Sequence, residues 1–277
     1  MTVKKLKISF LVLIAILFVI LEVLNFTTKK GNDAESSQST AKREDTFVVG
    51  FDQNFPPFGY KDKNGEYTGF DIDLAKECAK RMNKKLVLRP IDWDSKDMEL
   101  ETKNIDCIWN GFTINGREND YEWTKPYMDN SQVVVVRKDS GIKKLEDLSG
   151  KVVDVQMDSS AETALKSDEN KALLESFKGN TTKAVADYNT AMMDLESSAA
   201  DAVAMDIFVA KDQIKGKEDK FIILDDQIST EQYGVGFYKG NTKLKNEVEK
   251  TMKEMVKDKT FKKISEKWFD TDVCILK

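Results

Sequence analysis

The sequence predicts an α/β fold with mainly parallel sheets. Two patterns carry that expectation. Short runs rich in Val, Ile and Phe alternate with longer segments whose apolar residues recur at helical spacing. The polar, glycine-containing clusters that could carry chemistry fall just after those short runs, where open α/β sheets bind their ligands.

The elements follow in chain order. Thr46–Phe51 (TFVVGF) reads as a buried strand. Gly69–Met82 reads as a helix, because Leu74, Ala75, Cys78, Ala79 and Met82 share one face. Leu86–Leu88 and Ile105–Trp109 are short strands, and Gln132–Arg137 (QVVVVR) is a strong central one. Lys151–Val155, Thr182–Val185, Ala202–Ala204 and Phe221–Leu224 are strands separated by helices such as Tyr188–Ser197. Val235–Tyr238 precedes two last helices, Thr242–Lys257 and Phe261–Trp268. Cys78 and Cys107 fall on core faces and pack as small apolar residues, while Cys274 lies in the tail. Their odd count and scatter give no reason to expect a disulfide.

The N-terminus is a separate matter. Met1–Lys7 is basic, and Ile8–Phe26 is apolar apart from Glu22 and Asn25. That run approaches the roughly 20 residues needed to span a bilayer. Residues 1–26 therefore read as a signal peptide or a retained signal anchor. Residues 27–45 are polar, rich in Ser and Thr, and read as a flexible tether. Residues 1–30 hold five of the 43 basic residues and one of the 48 acidic ones, leaving 38 against 47 for the remainder. The basic end faces a membrane, and a body that acidic repels phosphate backbones, so no nucleic-acid partner is expected.

Composition excludes more. The 277 residues include no His, so Ser-His-Asp and Cys-His catalysis are ruled out. Three scattered Cys without His cannot build a tetrahedral zinc site. No cofactor or metal is expected.

Five clusters could bind a ligand. Asp52–Gly59 follows the first strand, and its two prolines stiffen a loop expected to present Phe55 and Phe58 to a small molecule. Asp92-Trp93-Asp94 places a second aromatic at a strand end. Asn110–Arg117 offers Gly111 for close backbone approach, the Thr113 hydroxyl, and the Arg117 fork for a carboxylate. Gln156–Glu162 contains Ser159 and Ser160, either of which would cap a helix whose free amides favour an anion. Asp206 ends the strand that begins at Ala202, where it could pair with an ammonium or merely cap the next helix. One Arg, one helix start, one Asp and two or three aromatics complement a zwitterion with an organic side chain.

These residues also carry a family likeness. Gly50-Phe51-Asp52 with Phe55–Phe58, Gly69–Leu74, Asp106–Ile114, Trp123–Tyr127, Leu145–Val153, Asp201–Asp206, Gly234–Phe237 and Lys267-Trp268-Phe269 occur in order over residues 46–270. In that pattern the chain resembles the extracytoplasmic solute-binding proteins of ABC transporters, in the polar amino acid branch. The resemblance implies a two-lobed periplasmic-binding-protein-like fold with two hinge strands and the ligand in the cleft. Lobe I would comprise 46–127 and 233–277, lobe II 131–228, with crossings at 128–130 and 229–232. Arg117 would hold the ligand carboxylate with Thr113 and the Ser160 amide, with Ser159 beside them. Asp206 would hold the ammonium with the Gly111 carbonyl. Phe55 and Trp93 would flank the side chain, and Asp52 and Gln156 would set specificity, glutamine-like ligands being favoured. Two departures stand out: Asn115-Gly116-Arg117 is one residue shorter than in many members, and Asp158 occupies a position where Gly is frequent.

The expected activity is therefore non-enzymatic. A monomer would capture a free L-amino acid at the outer face of the cell membrane and deliver it to permease subunits. Two alternatives share the fold: an arogenate or prephenate dehydratase, which needs only carboxyl acid chemistry, and a ligand-sensing domain.

Overall fold

In the computed structural model, which describes residues 45–277, the body is a mixed α/β structure built on one nine-stranded sheet with a three-stranded flap. The readings of residues 1–26 and of 27–44 fall outside the described residues. Within them, no helix is long and apolar enough to cross a membrane.

The first half opens with β1 (Thr46–Phe51), β2 (Asn54–Phe55), β3 (Gly59–Lys61) and β4 (Tyr67–Thr68), then α1 (Phe70–Arg81) and β5 (Lys85–Pro90). Helix α1 starts at Gly69, whose φ of 137° is open to glycine, and an added Cβ would stand 2.1 Å from the Phe58 carbonyl oxygen. Next come α2 (Lys96–Glu101), β6 (Cys107–Thr113), β7 (Glu122–Trp123) and β8 (Met128–Arg137). The second half holds β9 (Val153–Gln156), α3 (Ser160–Leu165), α4 (Lys171–Ser176), β10 (Lys183–Val185), α5 (Tyr188–Glu196), β11 (Ala202–Asp206) and α6 (Ile207–Ile214). The chain returns through β12 (Phe221–Phe237) and closes with α7 (Thr242–Lys257) and α8 (Thr260–Phe269).

Strand order is β10-β9-β11-β8-β12-β6-β1-β5, with β7 also on β12. Pairing is parallel for β9 with β10 and β11, and for β1 with β6. The two central strands, β8 and β12, run antiparallel to each other and to their outer neighbours β11 and β6. The 17-residue β12 unites what the sequence predicts as two strands with a loop between. Register shifts near Gln227 bend it but do not end its pairing with β8. Likewise β6 runs on to Thr113, past the expected end at Trp109.

Apolar burial follows this division. One buried cluster, including Val134, Val136, Leu148, Val155, Leu165, Ala204 and Ile228, belongs to the β8–β11 end. A larger one ties α1, α7 and α8 to the sheet and includes Phe58, Phe70, Tyr127, Tyr233, Met252 and Phe261. Phe58 is fully buried and meets the rings of Phe55, Phe70, Phe208, Tyr233 and Phe269 at centroid distances of 5.3–6.3 Å. The expectation of two exposed aromatics on the Asp52–Gly59 loop is thus corrected: Phe58 is core, and Phe55 is only 6% exposed. Burying rings of this size outweighs displaying them on a loop. All three cysteines are free, Cys78 and Cys107 buried and Cys274 half-buried.

Candidate functional site

Of the expected site residues, Gly111, Thr113, Arg117, Ser159, Ser160 and Asp206 lie where β6, β8, β11 and β12 meet the start of α3, while Asp52, Phe55, Trp93 and Gln156 lie apart from them. Their positions follow from local structure. Gly111 adopts φ 56°, and a Cβ there would lie 3.1–3.3 Å from the rings of Phe55, Phe58 and Tyr233. Its N–H donates to Asp71 Oδ2 at 2.5 Å, and the Tyr127 hydroxyl donates to the same carboxyl at 2.9 Å. Asp71 on α1 thus fixes the end of β6. Burial raises the Asp71 carboxyl to about 7, against the lowering effect of those two donors.

Arg117 is 8% exposed. Its Nη2 donates to the Asp158 carbonyl at 3.1 Å and its Nη1 to the Thr113 carbonyl at 3.5 Å, while the guanidinium lies 5.4 Å from the Phe112 ring centroid. Those contacts use two of its five donors on carbonyl oxygens, and no carboxylate is paired with it among the described residues. The short Asn115-Gly116-Arg117 turn closes with the Arg117 N–H on the Ile114 carbonyl at 2.9 Å.

Of the two serines, Ser159 is the cap: its hydroxyl accepts from the Glu162 N–H at 3.2 Å. The Ser160 hydroxyl instead accepts from Gln132 Nε2 at 3.0 Å. Asp158 has φ 58°, and its carboxylate turns to Lys96, which is 1% exposed and lies 5.5 Å from the Trp93 ring centroid. The acid beside the helix start is thereby neutralised by a buried ammonium.

Asp206 precedes α6 but makes no side-chain cap bond. Its Oδ1 accepts from Asn130 Nδ2 (2.8 Å), Gln132 Nε2 (2.9 Å) and the Tyr233 hydroxyl (2.5 Å). The same two amides donate to Glu231 Oε1 at 2.6 and 2.8 Å, and the Thr113 hydroxyl adds a third bond at 2.8 Å. Burial first, and then the negative charge of Glu231, push the Asp206 carboxyl up to about 7. Nothing in the local sequence marks Asn130, Gln132 or Glu231. They come together because Glu231 stands opposite Asn130 across the β8–β12 pair, and the usable signal is that buried strands carry polar residues in the middle of the sheet.

At the other end, Gln156 Nε2 donates to Asp52 Oδ2 at 2.7 Å and to the Ala186 carbonyl at 3.2 Å. Burial, together with the charges of Asp187 and Asp92, holds the Asp52 carboxyl above the usual range, against its hydrogen bonds. A cavity of about 330 Å³ extends from here, lined by Asp52, Asp92, Trp93, Asp94, Met157 and Asp187. Trp93 packs edge-on against Phe112 at 5.4 Å, and Phe55 against Tyr188 at 5.9 Å. Among the described residues, no group of His, Cys, Asp and Glu could hold a metal ion. The arrangement is a two-ended polar cleft: an arginine with spare donors, a buried carboxyl pair, and an acidic, partly aromatic cavity.

A polar site of this kind in a two-lobed α/β frame is what a solute-binding protein requires. Residues 47–271 match the bacterial extracellular solute-binding proteins, family 3, and the chain belongs to that family. It is 31% identical over 242 residues to the L-cystine-binding protein TcyJ of Escherichia coli (strain K12), covering 86% of this chain and 88% of that one. Among solved structures it is similar to an ABC uptake transporter substrate binding protein from Streptococcus pneumoniae with bound histidine. There the TM-score is 0.81 and the identity 30%, over 86% of this chain and 98% of that one. It is also similar to an ancestral amino acid-binding protein, a precursor of cyclohexadienyl dehydratase. There the TM-score is 0.74 and the identity 34%, over 84% and 99%.

Proposed function

We propose that the chain binds a free, polar, glutamine-like amino acid outside the cytoplasm and hands it to the permease subunits of an ABC transporter. One observation carries this reading. Arg117 and Asp206 belong to a single hydrogen-bonded chain: Arg117 to Thr113, Thr113 to Glu231, and Glu231 through Gln132 to Asp206 and Ser160. A guanidinium with free donors and a buried acid, held in one rigid network, match the two charges of an α-amino acid.

In this reading Arg117 binds the α-carboxylate with Thr113 and the Ser160 amide, Ser159 capping the helix behind it. Asp206 and the Gly111 carbonyl take the ammonium. Phe55 and Trp93 flank the side chain, and Asp52 and Gln156 meet its polar end. Lobe I is 46–127 with 233–277, lobe II is 131–228, and the chain crosses at 128–130 and 229–232. Contacts from both lobes favour the closed state, so ligand shifts an open–closed equilibrium. The closed monomer is the form the permease recognises, and residues 1–26 direct the chain to the membrane.

Thermal-shift screening of the twenty amino acids and L-cystine, followed by calorimetry, tests the reading. Arg117→Ala is expected to abolish binding while the fold persists. Wild-type affinity in that variant sinks the carboxylate assignment. The same samples given arogenate or prephenate are expected to show no turnover, and dehydration of either would replace the transport reading with an enzymatic one.

A further inference from the structure

We infer that Glu231, on the crossing strand β12, is a second ammonium-binding acid. It forms with Asp206 a paired seat that takes the ligand's cation in exchange for a proton. The inference rests on the amino acid reading of the cleft and deepens it.

The first observation is how the pair is held. Asp206 and Glu231 are 2% and 6% exposed. Every side-chain donor that reaches them falls on one oxygen of each: Asn130, Gln132 and Tyr233 on Asp206 Oδ1, and Asn130, Gln132 and Thr113 on Glu231 Oε1. Among the described residues no side chain donates to Asp206 Oδ2 or Glu231 Oε2. The second observation is independent. Asn130 Oδ1 and Gln132 Oε1 are buried without a hydrogen-bond partner, although their amide nitrogens serve the carboxylates. Buried acceptors of this kind are costly unless a donor arrives. Gln132 Nε2 has two hydrogens and three acceptors within reach: Ser160 Oγ, Asp206 Oδ1 and Glu231 Oε1. The cluster is rich in acceptors and short of donors, and an ammonium brings three donors and a positive charge.

Charge bookkeeping leads to the proton. The groups facing the pair are Tyr233 on β12, Asn130 and Gln132 on β8, Thr113 on β6, Ser160 on α3 and Tyr188 on α5. None of them is cationic. Two buried carboxylates this close cannot both stay charged without a cation, which agrees with the rise of Asp206 to about 7. An ammonium ion entering the seat supplies the cation, and the Asp206 proton leaves to solvent. Arg117 reaches the same network only through the Thr113 carbonyl, so it serves the carboxylate end.

The test is calorimetry on the full-length chain. The probe is whichever of L-arginine, L-histidine, L-glutamine and L-cystine binds most tightly, measured in buffers of different ionisation heat. Wild type is expected to release a proton on binding near neutral pH, and its affinity to fall up to about tenfold per pH unit below about pH 7. Glu231→Gln is expected to bind about ten- to a hundredfold more weakly at about pH 8. Its pH profile should also move towards acid, because Asp206 loses the neighbouring charge. Wild-type affinity and an unmoved profile in Glu231→Gln overturn the inference and leave Arg117 and the transport reading standing. So does absence of proton release in the wild type, which needs no variant. If neither these four probes nor the wider screen yields a binder, the amino acid reading itself fails and takes this inference with it.

Discussion

The two ends of the cleft are built differently. At the inner end, Asp206 and Glu231 are held by β8, β12, β6 and the start of α3, almost wholly out of water, with each described contact fixed by a sheet-borne partner. At the outer end, Asp52 and Gln156 meet each other, and beyond them lies a cavity whose other acids are Asp92 and Asp94, both exposed, and the half-buried Asp187. In the proposed reading the inner end binds the part that all amino acids share. In the same reading the outer end meets the ligand's side chain, so substitutions there are expected to alter which ligand is taken.

Four measurements sharpen that contrast. Asp206→Asn removes the ammonium's partner and leaves Glu231 as the single acid, so affinity for every accepted amino acid is expected to fall by about a hundredfold or more. Equal loss across all ligands is the signature; a loss confined to one would contradict the division of labour. Asp52→Asn is expected to change selectivity rather than binding as such, with the ranking of L-arginine against L-glutamine moving by about tenfold in competition calorimetry. An unchanged ranking would move the specificity end elsewhere.

The third measurement uses pH without ligand. Asp71 and Asp206 both have folded-state values near 7, above the ordinary carboxylate range. Protons therefore bind the folded chain more tightly than the unfolded one. The stability these groups confer is full at acid pH, below their unfolded values, and is lost as pH rises through about 7. Melting temperatures of Asp206→Asn against its parent should move in the variant's favour between about pH 5 and about pH 8. A constant difference would mean that Asp206 does not titrate in that window. The smallest effect is expected from Lys96→Met, which keeps the buried stem but removes the bridge to Asp158. Asp158 is about half exposed, so the bridge adds about 0.2–1 kcal/mol and its loss costs a few-fold in affinity.

Much of the frame was legible in the sequence for a physical reason. Strands such as Thr46–Phe51 and Gln132–Arg137, and helices such as Thr242–Lys257, carry their period in adjacent residues. A cap could be narrowed to Ser159 or Ser160 because its partner lies only three residues on, and Ser159 is the one that makes the bond. The interior of β12 was not legible, since Asp225-Asp226-Gln227 has the composition of a loop and the strand resumes its pairing with β8 only at Gln227, after a register shift. Asn130, Gln132 and Glu231 escaped because their partners in the carboxyl pair lie 74 to 101 positions away. Asp71 could be quoted as a motif residue, yet its role depends on Gly111, 40 positions along the chain. Phe58 looked like a display residue because the rings that bury it come from four distant elements.

The layout of the sheet also sets the order in which the molecule can be made. Strands β9, β10 and β11 all lie between β8 and β12 in the chain, and the buried cluster they support runs from Val134 to Ile228. That cluster lies within one unbroken stretch of polypeptide. The other part waits: β6 can pair with β1 early but gains β12 only when residues up to Phe237 exist, and α1 packs against α7 and α8, the last helices made. During synthesis α1 is thus among the first helices to emerge and among the last elements to complete its packing.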